Sequence, residues 1–342
     1  MLGPLPENAV GWLPIELRFG LGGAFAPRRV SWMRFGAEAL QEPFVSQTVA
    51  RLRMEPERYP ELETDVSSVL EAVRGRTPVQ PCGIIFHISR CGSTLVSNGI
   101  KAITSAVVAS EAQPVSALLD PNYDVSVATK APLKRQRELL LRSLFTVIST
   151  YQTGSAQELV LKLSSLNTIC ISEVRALFPA VPIVLVVRDP VEVVVSNLQG
   201  GGGWLSHRKQ QSLAEALGMP HSTAAYMDDV EYAAFVVGMM LRRALENVDG
   251  IHVLDYEDID GRSIRRVASL FGLTHSPEEQ TLVEVLSSYS KDATRTQRGV
   301  NDTATKQAVA TADVRRHVER HAEQYYRALR APRNSTAHTM AC

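Results

Sequence analysis

The sequence predicts a three-layer α/β/α fold with a central, mainly parallel β-sheet and a small, mostly helical N-terminal extension. Short apolar runs recur between residues 83 and 254, and segments with helical patterning separate them. The runs lack an alternating polar face, which is typical of strands buried on both sides. Strands that alternate with helices favour a parallel sheet. The chain of 342 residues, 45% of them hydrophobic, is long enough for a large core.

The elements follow in a regular order along the chain. The predicted strands are Gly83–Ile88, Ala106–Ser110, Glu158–Leu163, Val181–Val187 and Ile251–Leu254. Helices are predicted from Ser93 to about Ile103, from about Leu133 to Ser149, over 168–178, from Pro190 onwards, and through a long stretch ending near Asn247. Pro190 fits the first turn of a helix, where the N–H that proline lacks has no partner within the helix.

The first eighty residues have a different character. They carry scattered aromatic side chains and a few helical patches, without strand–helix alternation. The segment Arg76–Gly83 contains two prolines and is typical of a linker. We therefore predict an accessory segment at 1–80, the α/β domain at 81–330 and a flexible tail at 331–342.

Composition narrows the classes of partner and compartment. The formal net charge is zero, so no global field points to a nucleic acid or an anionic membrane. The four cysteines form no C-x-x-C pair, which favours a reducing compartment. The N-terminus lacks the pattern of a signal peptide, and the longest apolar runs are too short to span a bilayer. We expect a cytoplasmic protein that binds a small molecule; the oligomeric state stays open.

Charged and hydroxyl side chains follow the predicted strands where each one ends. Ser89–Thr94 follows the first strand, Glu111 follows the second, Lys162 lies at the end of the third, and Arg188 closes the fourth. Because the carboxyl ends of parallel strands meet at one edge of a sheet, we expect these groups to converge there. The sequence therefore predicts an anion site beside one candidate general base.

The loop after the first strand is built to hold an anion. Gly92 allows backbone amides to turn inward, and the following helix adds partial positive charge at its N-terminus. Ser93 and Thr94 supply hydroxyl groups, and Arg90 supplies full charge. The loop is not a Walker A motif, since Ser93 stands where that motif requires lysine. ATP with magnesium is therefore disfavoured, and we expect no metal in the reaction.

The stretch SRCGSTL resembles the 5′-phosphosulfate loop of sulfotransferases that use 3′-phosphoadenosine-5′-phosphosulfate (PAPS). That resemblance implies a P-loop NTPase-like fold and PAPS as co-substrate. It assigns donor binding to Arg90, Cys91, Gly92, Ser93 and Thr94.

A second stretch, VVRDPVEVVVSN, is similar to the 3′-phosphate motif of the same family. Arg188 and Ser196 have the family's spacing of eight residues, which implies that both bind the 3′-phosphate. Weaker matches are VLDYEDI and TQRGVND; the latter places Arg298 and Gly299 like the family's loop over the cofactor, although its lysine is missing. The resemblance runs from about Gly83 to Tyr326.

The candidate base differs from that of the cytosolic members of the family. Their catalytic histidine follows a lysine and a threonine, whereas the similar strand end here reads Lys162-Leu163-Ser164. Bacterial and glycan-type members often place a glutamate after the second strand, and Glu111 looks like that arrangement. We predict Glu111 as the base, with Arg90 and Lys162 stabilising charge on the leaving phosphate and Ser164 as a bystander or acceptor-side hydroxyl.

Two other functions stay open: a P-loop-like kinase or phosphotransferase, and a non-catalytic nucleotide-binding module. The acceptor, a natural product or a glycan among the candidates, has no short motif. His317 and His321 have a spacing that can bind zinc, but Glu319 is the nearest acid and no third ligand is evident. We interpret that helix as a solvated, charged face.

Overall fold

Two β-sheets organise the molecule. The computed structural model describes residues 5, 9–20, 27–120, 131–200, 203–207, 210–276, 279–288, 290–294, 296–299 and 301–331. All but the first residue of the predicted C-terminal tail therefore lies outside the described residues. The strands are β1 (Trp12–Phe19), β2 (Pro27–Arg34), β3 (Glu61–Asp65), β4 (Gly83–His87), β5 (Val107–Ser110), β6 (Leu159–Lys162), β7 (Ile183–Val187) and β8 (Ile251–Asp255).

The larger sheet is fully parallel, as the sequence predicts, with the order β5-β6-β4-β7-β8. All residues of the three central strands are buried, because helices cover both faces of the sheet. Each of the five strands was predicted at its place in the chain, and observed and predicted limits differ by at most two residues. The α/β/α prediction is confirmed.

Helices alternate with these strands and extend beyond them. They are α1 (Val45–Leu52), α2 (Ser67–Glu71), α3 (Ser93–Ile103), α4 (Gln113–Leu118), α5 (Ala131–Thr150), α6 (Ile171–Leu177), α7 (Pro190–Gly200), α8 (Gln211–Ala216), α9 (His221–Tyr226), α10 (Asp229–Glu246), α11 (Gly261–Leu270), α12 (Glu279–Ser287), α13 (Thr303–Val309), α14 (Ala312–Val318) and α15 (Gln324–Arg330). The helix predicted over 168–178 begins as a 3₁₀ helix, Ser165–Cys170, before α6. In the described part of the chain, no helix combines the length and apolarity that a bilayer span requires.

The prediction of a mostly helical N-terminal extension is wrong. The described residues there form a three-stranded antiparallel sheet, β1-β2-β3, with only α1 and α2 as helices. The sequence ELETD of β3 has little strand propensity, and arginines flank the apolar centre of β2. These strands form because they pair with one another, and such non-local pairing leaves a weak trace in the local pattern.

The small sheet packs against the helices α4 and α5 and shares one hydrophobic core with the large sheet. Gln113 in α4 bonds the backbone of β1 twice: its Oε1 accepts from the Leu17 amide at 2.7 Å, and its Nε2 donates to the Leu17 carbonyl at 3.3 Å. The amide of Gly11 donates to the carbonyl of Tyr151 at 2.6 Å. These bonds fix the N-terminal segment against the helical layer that holds α4 and α5.

Candidate active site

A cavity of about 720 Å³ opens at the carboxyl edge of the parallel sheet. Its volume lies within the roughly 300–1,000 Å³ of small-ligand sites. The wall combines the loop after β4, the end of β5, Arg188 after β7, the turn after β8, the C-terminal part of α7 and residues 286–306. The groups predicted from separate crossovers therefore do meet in one place.

The centre of the cavity lies where the topology of the sheet changes direction. β4 and β7 are neighbours, but β4 connects towards β5 on one side and β7 connects to β8 on the other. Crevices at such switch points are the usual ligand sites of open α/β sheets. Arg90 and Arg188 lie on the two sides of this crevice, and Arg188 Nη1 is 3.4 Å from the carbonyl oxygen of Arg90.

The loop after β4 has a strained backbone. Ser89 and Arg90 have φ angles of 72° and 49°, and Gly92 has a φ of 84°. Left-handed conformations are rare outside glycine and cluster at ligand-binding sites. Successive turns of this kind point backbone amides at a common centre, which is the geometry of an anion-binding nest. Ser89 Oγ, which donates to Asn197 Oδ1 at 3.0 Å, ties the loop to α7.

Hydroxyl and guanidinium groups surround this nest. Ser93 and Thr94 occupy the first turn of α3, are buried and line the cavity. Arg90 lines the cavity too, and its Nη2 donates to the carbonyl of Gly200 at 3.0 Å. Cys91 also belongs to the wall, but it is buried and its Sγ donates to the Val186 carbonyl at 3.1 Å. Burial raises the pKa of Cys91 to about 11, so this thiol is protonated and not a nucleophile.

Glu111 and Lys162 form a buried ion pair at the ends of β5 and β6. Lys162 Nζ donates to Glu111 Oε1, and the lysine side chain is 0% exposed, with Nζ 4.8 Å from the centre of the Phe44 ring. Burial raises the pKa of Glu111, but the charge of Lys162 and bonds from His87 and Lys162 outweigh burial and hold the pKa well below its usual range. Of this described pair, Glu111 lines the cavity and Lys162 does not.

His87, the last residue of β4, completes this cluster. Its Nε2 lies 3.0 Å from the Leu163 carbonyl and 3.6 Å from Glu111 Oε1, while its Nδ1 accepts from the Ser89 amide at 3.2 Å. Burial and the charge of Lys162 lower the pKa of His87, so the ring is neutral with its proton on Nε2. His87 lines the cavity. Both ring nitrogens of His87 are therefore engaged by backbone groups.

Arg188 is held rigidly from several sides. Its guanidinium stacks 3.9 Å from the centre of the Tyr256 ring, and its Nε donates to Glu192 at 2.7 Å. Nη2 donates to Asp302 at 2.6 Å. Lys306 pairs with the same Asp302 at 2.7 Å. Two cations and two carboxylates therefore balance one another at this end of the cavity.

The other predicted site residues lie in different places. Ser196 and Gly299 line the cavity, whereas Arg298 is exposed and, among the described wall residues, takes no part. Ser164 lies outside the wall and bonds Ser116 Oγ at 2.9 Å. The structure thus brings together the predicted loop, Glu111, Arg188 and Ser196.

Several wall residues were not predicted as parts of the site. Among them are Phe44, His87, Trp204, Tyr256, Lys291, Asp302 and Lys306. Lys291 lines the cavity and lies seven residues before Arg298 in the sequence. Burial and the charge of Arg90 lower the pKa of Lys291 to about 8. His87 had a visible signal, because it is the only polar residue in an apolar strand.

Residues 81–328 match the family model described as the sulfotransferase domain, so the chain belongs to the sulfotransferase family. No curated protein matches the chain. The sulfotransferase domain from the curacin biosynthetic pathway is 15% identical at a TM-score of 0.40, over 70% of this chain and 97% of that chain. The sulfotransferase domain from the Synechococcus PCC 7002 olefin synthase is 14% identical at a TM-score of 0.38, over 72% of this chain and 96% of that chain.

Proposed function

We propose that this protein transfers the sulfuryl group of PAPS to a hydroxyl or amine of a small-molecule acceptor, with Glu111 as the general base. One observation carries the proposal: the strained loop after β4, Arg188 after β7 and the carboxylate of Glu111 all open on one cavity. Sulfotransferases in general take the sulfuryl group from PAPS, and the residues present fit that donor at both ends.

The fit at the 5′ end rests on the loop and its neighbours. The backbone nest at Ser89–Gly92 and the first turn of α3 present amides and hydroxyls to one point. Arg90 and Lys291 add positive charge in the same wall. A phosphosulfate bound here has charge-assisted donors on several sides, which suits a group whose negative charge shifts during transfer.

The fit at the 3′ end requires a rearrangement. Arg188, Lys306 and Ser196 supply two charges and a hydroxyl, but Asp302 already bonds both cations. Asp302 is 43% exposed on its side chain, whereas Glu192 is 5% exposed. We therefore expect the 3′-phosphate to replace the carboxylate of Asp302 at Arg188, while Glu192 and Tyr256 hold the guanidinium in place.

The reaction follows from these positions. The acceptor oxygen attacks sulfur in line, and its proton passes to Glu111 as the new S–O bond forms. The bond between sulfur and the 5′-phosphate oxygen breaks, and 3′,5′-ADP leaves with the electron pair. Sulfuryl transfer resembles phosphoryl transfer, in which positioning and charge stabilisation dominate a loose transition state. Arg90, Lys291 and the loop amides stabilise the charge that grows on the leaving phosphate.

Lys162 takes a different part from the one expected. It was predicted to face the leaving group, but its ammonium is buried against Glu111. In this proposal Lys162 keeps Glu111 ionised and fixes Oε1, so that Oε2 receives the proton. A carboxylate with a low pKa is a weak base, which suits a transition state in which bond breaking at sulfur runs ahead of proton transfer.

Calorimetry and a transfer assay test the proposal. 3′,5′-ADP should bind without magnesium, and ATP with magnesium should bind at least ~100-fold more weakly. Transfer from ³⁵S-labelled PAPS to a mixed panel of phenols, alcohols, sugars and amines should give a labelled product. Binding of ATP only with magnesium would favour a kinase. Binding of 3′,5′-ADP without transfer to any acceptor would favour a non-catalytic module.

A further inference from the structure

Three potential metal ligands converge on the helical layer, away from the cavity. Glu231 lies in the first turn of α10, His317 lies in the last turn of α14, and His321 lies in a π-helical turn, Glu319–Glu323, that joins α14 to α15. One ligand atom of each residue lies within 4.8 Å of the other two. None of these three described residues is part of the cavity wall.

The separations within this cluster match those of zinc ligands. Glu231 Oε1 is 3.4 Å from His321 Nε2 and 3.8 Å from His317 Nδ1. Two ligands bound to one tetrahedral zinc at about 2.0–2.1 Å lie roughly 3.4 Å apart. The two imidazole rings stack in parallel planes at 3°, with centroids 6.1 Å apart, so both present their edges to Glu231.

His317 provides the second, independent observation. The residue is 8% exposed, so the reading of this helix as a solvated face is wrong at this position. Its Nδ1 is buried and has no hydrogen-bond partner among the described residues. An unpaired buried nitrogen costs free energy unless a ligand satisfies it. This nitrogen points to the side where Glu231 and His321 meet.

The backbone supports the same geometry. The π-helical turn is a rare conformation that occurs mostly at functional sites. The turn packs closely against α10, where Gly238 faces the carbonyl of His321. A Cβ added at Gly238 would lie 2.0 Å from that oxygen, so the absence of a side chain there permits the close approach. The turn therefore places His321 beside α10, the same helix that carries Glu231 in its first turn.

The surroundings of His317 fit a metal-bound imidazole. Its second nitrogen, Nε2, is 3.6 Å from Asp313 Oδ1, a carboxylate that also pairs with Arg316. A carboxylate behind a metal-bound histidine is the common arrangement that fixes the ring and its tautomer.

An ion pair competes for the same carboxylate. Arg320 Nη1 is 3.4 Å from Glu231 Oε1, with the arginine side chain 68% exposed. An exposed pair of this kind contributes little, so it does not prevent a dication from taking the carboxylate.

We propose that Glu231, His317 and His321 bind one zinc ion, which clamps the C-terminal helices to α10. The sequence alone does not reveal the site, because its third ligand comes from a helix far upstream. The C-terminal helix in turn supports the edge of the parallel sheet, since Tyr326 Oη donates to Asp255 Oδ2 at 2.7 Å. The proposed zinc is structural and independent of the donor cavity.

Zinc titration of the chelator-treated, full-length protein tests this site. We expect one equivalent of Zn²⁺ to bind and to raise the thermal unfolding temperature, and Co²⁺ to give the visible spectrum of a four-coordinate ion. Loss of an outer partner commonly weakens metal binding 10–100-fold, so loss of a ligand should cost at least ~10-fold. His317→Asn, His321→Asn and Glu231→Gln should each show this loss.

Two matched variants sharpen the test. His252→Asn removes an exposed histidine outside the cluster and should bind zinc like the unaltered protein. Arg320→Ala removes the competing cation and should strengthen zinc binding. Glu231→Gln keeps the shape of the side chain, so its zinc affinity still tests the site if a histidine variant fails to fold. The proposal is overturned if the unaltered protein binds no zinc, or if Glu231→Gln binds it with unchanged affinity. Either result leaves 3′,5′-ADP binding unaffected.

Discussion

The buried ammonium of Lys162, the last residue of β6, is bonded to the carboxylate of Glu111, which follows β5 and lines the cavity. The pair links stability to the proposed catalysis, because loss of the carboxylate at Glu111 leaves the buried ammonium of Lys162 without its partner. A buried charge that loses its partner typically costs about 3–5 kcal/mol of stability. Folding stability and turnover must therefore both be measured for each variant of Glu111.

Glu111→Gln should reduce turnover by ~10²–10⁴-fold, because the acceptor proton then has no base to receive it. The affinity for 3′,5′-ADP should stay within roughly threefold, since Glu111 makes no contact with the donor in the proposed pose. Steady-state transfer assays and calorimetry measure the two quantities on the same preparation. Turnover near that of the unaltered enzyme would remove Glu111 from the mechanism.

The double variant Glu111→Gln, Lys162→Met provides the control for stability. Replacing both charges removes the unpaired ammonium, so the double variant should unfold at a higher denaturant concentration than Glu111→Gln alone. Its turnover should stay low, because the base is still missing. If turnover returned with stability, the loss in the single variant would come from misfolding.

Asp302→Asn should strengthen the binding of 3′,5′-ADP by roughly 3–10-fold, because Arg188 and Lys306 no longer need to give up a carboxylate. Burial opposes the charge on Asp302, but bonds from Lys306 and Arg188 outweigh it and lower the pKa, so the carboxylate is ionised at neutral pH. Arg188→Ala should weaken the same binding. Calorimetry measures both, and Asp249→Asn, in an exposed turn, serves as the control. Weaker binding by Asp302→Asn would mean that the aspartate positions Arg188 for the phosphate.

Donor binding should weaken as pH rises through about 8. Lys291 has its pKa lowered to about 8, so its positive charge is present below that pH and lost above it. Between pH 7 and pH 9 the dissociation constant of 3′,5′-ADP should rise by up to about tenfold, since one proton is linked to binding. The phosphate groups lose their second proton near pH 6 and contribute little over this range. Lys291→Met should bind more weakly at pH 7 and flatten the profile; an equal slope in both proteins would exclude Lys291.

Gly92→Ala should destabilise the fold and weaken donor binding. A Cβ there would lie 2.7 Å from Ile259 Cδ1 and 2.8 Å from Tyr256 Cδ2, so the ring stacked on Arg188 would have to move. Gly272→Ala is the matched control, because Gly272 also has a positive φ but has no atom within 4 Å of the added Cβ. Chemical denaturation should show a loss for both and a larger loss for Gly92→Ala. Equal losses would mean that only the backbone conformation matters.

The parallel sheet and the ends of its strands were predictable because local patterns in the sequence indicate both. Buried parallel strands are continuous apolar runs, and the residue after each run falls at the ligand edge by topology alone. Arg90, Glu111 and Arg188 were found in this way, whereas Ser196 came from the resemblance of VVRDPVEVVVSN to the 3′-phosphate motif of the family. The bonding partners of these residues were not predictable. The pairing of Lys162 with Glu111, for example, depends on the order of β5 and β6 within the sheet.

Residues that reach the cavity from distant or irregular segments escaped prediction. Phe44 precedes α1, and Lys291, Asp302 and Lys306 follow the last strand, where no periodic pattern fixes direction. The small antiparallel sheet escaped for a related reason, since β3 is polar and owes its conformation to β2. Such contacts are set by tertiary packing, which a single sequence does not display.

The ring of Phe44 above Lys162 has a practical consequence for anyone who wants to shorten or recombine this protein. The portion recognisable as the family module starts at residue 81, yet Phe44 and the Gln47 side chain, which donates to the Lys291 carbonyl at 3.0 Å, belong to the segment before it. A chain trimmed to this module would expose Lys162, which is now shielded from solvent. It would also lose the hydrogen bond from Gln47 that holds the segment around Lys291. Chimeras should therefore be joined upstream of Trp12, with both sheets inherited as one piece.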